Sequence, residues 1–70
     1  QTHRLSEQMV VRCDRLVRCS PTATLTLRQW IQTLKSRGVQ VSLVGVHRMV
    51  AAYFLSQGIY EYAKVVIRKD

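Results

Sequence analysis

Between Asp14 and Glu61 this sequence contains no acidic residue. Only Glu7, Asp14, Glu61 and Asp70 are negative, against 11 lysines and arginines, which leaves a formal net charge of +7 on 70 residues. Four scattered carboxylates offer no pair for general acid–base chemistry. With 3 glycines and 1 proline there is no glycine-rich phosphate loop, and no Ser-His-Asp grouping can be drawn. The sequence therefore reads as a non-enzyme. Cys13 and Cys19 have no third cysteine to pair with and, on one expected helix, point in different directions. Free thiols in a reducing cytoplasm are the expectation. His3 and His47 lack cysteine or carboxylate neighbours at metal-ligand spacing, so neither a metal nor a cofactor is expected. No apolar run approaches the ~18 residues of a membrane span, and no signal segment is visible. A cytoplasmic chain with no membrane partner is expected.

A chain this short is one domain, residues 1–70, and buries only about 60% of the surface its unfolded form exposes. Its excess cations lie mostly in the acid-free middle: Arg15, Arg18, Arg28, Lys35, Arg37 and Arg48. Neutralising phosphates releases condensed counterions, so a polyanion is the partner this field favours.

Apolar periodicity predicts a mainly α domain of three helices, about 4–19, 27–37 and 43–57, with a C-terminal strand at about 59–68. Leu5, Met9, Cys13 and Leu16 recur at helical spacing in the first. Pro21 then breaks the pattern, and residues 23–25 read as a short strand. Thr26 with Gln29 suggests a capping box, and Leu25 with Trp30 a hydrophobic staple. Leu27, Trp30, Ile31 and Leu34 form the expected core face, and Gly38 suits a left-handed C-cap. Ser42 reads as the cap of the third helix, and Gly58 as its end. Val44, Gly45, Arg48, Ala51, Ala52 and Leu55 fall on its outward side.

Two helices joined by a tight turn and followed by a strand predict a helix-turn-helix, or winged-helix-like, fold. The helix 43–57 would then enter the major groove of double-stranded DNA. Gly45 would remove bulk, Val44 would meet a thymine methyl and Arg48 would grip guanine. Gln40 and Ser42 would contact phosphates, and His47 would make a structural hydrogen bond or a phosphate contact. Arg28, Lys35 and Arg37 would flank them, with Lys64, Arg68 and Lys69 on the wing. The expected function is sequence-specific transcriptional regulation, with a homodimer on a palindromic operator. The alternative is a small protein–protein interaction module that uses an apolar patch around Leu55.

Three segments, "RLSEQMV", "VHRMVAAY" and "YAKV", together resemble the TrfB/KorA family of plasmid transcriptional repressors. That resemblance covers the two ends of the chain and not its middle. It implies a plasmid-encoded homodimeric repressor, with Ser42, His47 and Arg48 in the DNA-reading helix.

Overall fold

Val41 and Leu43 are both fully buried, while Ser42 between them is not. That alternation has the period of a strand rather than a helix, and it overturns the expected architecture. The computed structural model describes residues 7–16 and 18–69. In it the chain is an α/β domain built from strand β1 (Glu7–Arg12), helix α1 (Pro21–Ser36), strand β2 (Val39–Val46), helix α2 (Arg48–Ser56), a 3₁₀ turn (Ile59–Glu61) and strand β3 (Ala63–Ile67). The strands form one parallel sheet in the order β1-β2-β3.

The expected helix-turn-helix is therefore absent. The described part of the expected helix 4–19 is β1 and a loop; residues 4–6 and 17 lie outside the described residues. Of the expected helix 43–57, the first four residues belong to the central strand and α2 starts only at Arg48. The expected strand 59–68 is a 3₁₀ turn, which buries Ile59, followed by the shorter β3.

A bulge explains why β2 mimics a helix. Leu43 pairs with Val65 and Val46 with Ile67, so β2 carries one residue more than β3 between these pairs. Gly45, at φ +70, absorbs the extra residue. Inward positions then fall at 41, 43 and 46, and with Val50 and Phe54 beyond them they imitate helical spacing.

Pro21 starts α1 instead of separating two elements. Its fixed φ suits the first helical position, and the Ser20 hydroxyl caps the helix by accepting from the Ala23 amide at 3.1 Å. Thr26 is not a cap; its hydroxyl donates to the Thr22 carbonyl at 3.1 Å. The face turned inward is Thr24, Leu27, Ile31 and Leu34. Trp30 and Leu25 stand 43% and 51% exposed, so they form no staple. Gly38, at φ +84, follows the helix as a left-handed residue, where a glycine was expected.

Both crossovers step the same way across the sheet, and right-handed crossovers then place both helices on one face. The core agrees: Ile31 of α1 and Phe54 of α2 share a cluster with Val41, Leu43 and Val46 of β2. Each such side chain contributes about 1.5–3 kcal/mol when fully buried. The other face of the sheet has no layer among the described residues, and Gln40, Ser42 and Val44 lie along it beside Gln8, Val10, Arg12 and Lys64. No described helix is long and apolar enough to cross a membrane.

Candidate polyanion-binding edge

Parallel strands end together, and here their carboxyl ends gather positive charge. Arg12 closes β1, and Arg15 and Arg18 follow in the loop to α1. Arg48 opens α2 just after β2, and Arg68 and Lys69 follow β3. Arg12, Arg15, Arg18, Arg48 and Lys69 are exposed, and Arg68 is half-buried. Among the described residues Asp14 is the only acid at this edge; Glu7 and Glu61 lie at the opposite end.

Both helices also begin at this edge, because a crossover helix runs against its strands. Neither has an acid in its first turn. Acids usually occupy that turn, where they offset the positive end of the helix dipole. Left without them, two helix N-termini add their field to that of the arginines.

Asp14 organises the cations around it. The Arg12 guanidinium lies 3.2 Å from its carboxylate, an exposed ion pair contributing no more than about 1 kcal/mol. Arg68 ties the third strand in: its Nη1 donates to the Asp14 carbonyl at 3.1 Å and its backbone amide to the Val46 carbonyl at 2.8 Å. The Cys13 amide donates to the Val44 carbonyl at 2.8 Å, which prolongs the β1–β2 pairing to the loop. Burial first, then the Asp14 carboxylate and Cys19, pushes the Cys13 thiol above its ordinary pKa. Cys13 is thus held as a neutral thiol, and both cysteines are free.

The structure disperses the residues expected to read DNA. Gly45, His47, Arg48 and Arg68 are at the carboxyl edge, but not on a groove-entering helix. Gly45 is the bulge, and His47 is the N-cap of α2, its Nδ1 accepting from the Met49 amide at 3.1 Å. Arg48 is exposed at the start of α2. Gln40, Ser42, Val44 and Lys64 share the open face of the sheet, with Ser42 in mid-strand rather than capping a helix. Arg28 and Lys35 tie α1 to the later chain: Arg28 Nη1 donates to the Gln57 carbonyl at 3.4 Å, and Lys35 Nζ to the Glu61 carbonyl at 2.8 Å. Lys35 also stands 5.7 Å from the Tyr62 ring centre. Arg37 is the C-cap of α1, at the far end of the sheet.

Arg12, Arg15 and Arg18 were not among the expected contacts. Read as a helix, residues 12–18 put their arginines on one solvated arc. Read as a strand end and loop, they belong with Arg48.

α2 turns Met49, Ala52 and Leu55 outward, with Met49 69% and Leu55 62% exposed. Near its start Arg18, Cys19, Met49, Val50 and Tyr53 line a groove of about 210 Å³. Among the described residues, no cluster of three His, Cys, Asp or Glu side chains is placed to hold a metal ion. No protein family, curated protein or solved structure matches the chain significantly.

Proposed function

We propose that this chain is a binding module for nucleic acid that grips the phosphate backbone with the carboxyl edge of its sheet. The supporting observation is the sorting of charge: Arg12, Arg15, Arg18, Arg48, Arg68 and Lys69 meet two acid-free helix N-termini there, with Asp14 alone opposing them among the described residues. Phosphates suit helix N-termini, where free backbone N–H groups and the helix dipole favour an anion. Binding, rather than catalysis, fits a Cys13 thiol kept protonated and a His47 nitrogen committed to a cap.

Groove insertion is no part of this proposal, because residues 43–46 belong to a strand. With it go the reading of an operator by Val44 and Arg48 and the need for a palindrome or a homodimer. Backbone contact makes binding tolerant of sequence and sensitive to salt. Fluorescence anisotropy with a labelled DNA oligonucleotide tests this across a salt series. Affinity should fall linearly on logarithmic axes, by about 0.9 per neutralised duplex phosphate. A flat salt dependence contradicts it.

A second reading is favoured by the outward side of α2. Met49 and Leu55 stand 69% and 62% exposed on one helix, an apolar surface that suits docking on a protein partner. Such a complex would be indifferent to salt and would be lost in Leu55→Lys.

A further inference from the structure

A cationic edge alone does not distinguish a duplex from a single strand, since both present phosphates. The groove at the head of α2 does. Its wall is apolar: Met49, Val50 and Tyr53 from the first turns of the helix and Cys19 from the loop before α1. One cation lines it, Arg18, and the carboxyl edge with its further arginines adjoins the start of the same helix. Val50 is 4% exposed and Tyr53 is half-buried against the core, while Met49 is 69% exposed.

An apolar recess beside phosphate-binding cations fits a ligand that is flat and apolar at one end and anionic at the other. We infer that the groove between the starts of α1 and α2 receives an unpaired base, so that the cationic edge selects single-stranded over duplex nucleic acid. The inference rests on the phosphate-binding proposal above and specifies its substrate. Its chemistry is that of single-strand grooves in general. Positive charge follows the backbone, and an aromatic ring offers a π-face to any base without reading its identity. A paired base cannot enter, because its faces are already stacked. Tyr53 supplies the ring, Met49 a polarisable side chain against the base edge, and Arg18 a planar cation beside it.

The test uses the whole chain and three probes: a labelled single strand of about 12 nucleotides, a duplex of equal length, and inorganic polyphosphate as an unlabelled competitor. The single strand should bind about tenfold more tightly than the duplex, and polyphosphate should displace the duplex more readily than the single strand. Tyr53→Leu should remove that preference by weakening the single strand alone, while Tyr53→Phe, which keeps the ring, should retain it. Met49→Ser, at an exposed and uncharged position, should narrow the preference without disturbing the fold. Circular dichroism establishes that each variant remains folded. Equal affinities for single strand and duplex, or a preference untouched by Tyr53→Leu and Met49→Ser, overturn the base-binding groove and leave backbone binding standing. Failure to bind either nucleic-acid probe at low salt overturns both.

Discussion

The Asp14 side chain occupies the space that a β-carbon at residue 45 would need, so its Oδ1 would overlap any substituent there. Gly45 thus serves two purposes. It takes the left-handed backbone of the bulge, and it lets the loop after β1 close over the end of β2. The same contact holds the acid of this edge against the backbone, where its carboxylate pairs with Arg12 while its backbone carbonyl accepts from Arg68.

Gly45→Ala should destabilise the domain by about 1–3 kcal/mol in urea unfolding, from combined backbone strain and overlap. Gly38→Ala and Gly58→Ala, which share the positive φ but face open space, should lose only about 1 kcal/mol. Adding Asp14→Ala to Gly45→Ala should recover part of the larger loss. If the three alanine variants lose equal stability, the close approach of Asp14 has no energetic weight.

Ser20→Ala should cost about 1 kcal/mol by removing the cap of α1, whereas Thr26→Ala should be nearly neutral. The ordering of these two variants in thermal unfolding checks where the helix begins. The reverse ordering would restore a start near Leu27.

Cys13 links stability to alkaline pH. Its pKa is raised in the fold above the ordinary value near 9.0, chiefly by burial. The folded state therefore holds the proton more tightly than the unfolded chain does. That contribution is complete below about pH 9 and is lost as pH rises through the ordinary value towards the folded one. Wild type should lose stability over this window more steeply than Cys13→Ala, and Cys13 should alkylate more slowly than Cys19. Parallel stability profiles for the two proteins would refute it.

Much of this was legible in the sequence and much was disguised. The charge imbalance, the free thiols and the Gly38 and Gly58 stops can be read directly. α1 was half legible. Its C-terminus was marked, but a proline at N1 and a proline between elements look alike until the residues after them are known to be helical. β2 was hidden by its own bulge, which set Val41, Leu43 and Val46 at spacings that continue into α2. β1 alternates Met9, Val11 and Cys13, yet Leu5, Met9 and Cys13 also recur every four residues. Both periods fit so short a run, and only pairing with β2 decides between them. The site went with the fold. Arg48 could be singled out from sequence, but its company of Arg12, Arg15 and Lys69 depends on strands that end side by side.

Two charge-matched variants test the edge most directly. Arg15→Glu/Arg48→Glu reverses two cations at the carboxyl edge, and Arg37→Glu/Lys64→Glu reverses two elsewhere, giving the same net charge. In DNA-binding titrations across salt, the first pair should weaken binding strongly and flatten the logarithmic salt slope by roughly 2, while the second changes both only slightly. Equal losses in the two variants would mean that net charge alone attracts the polyanion and that the carboxyl edge is not its site.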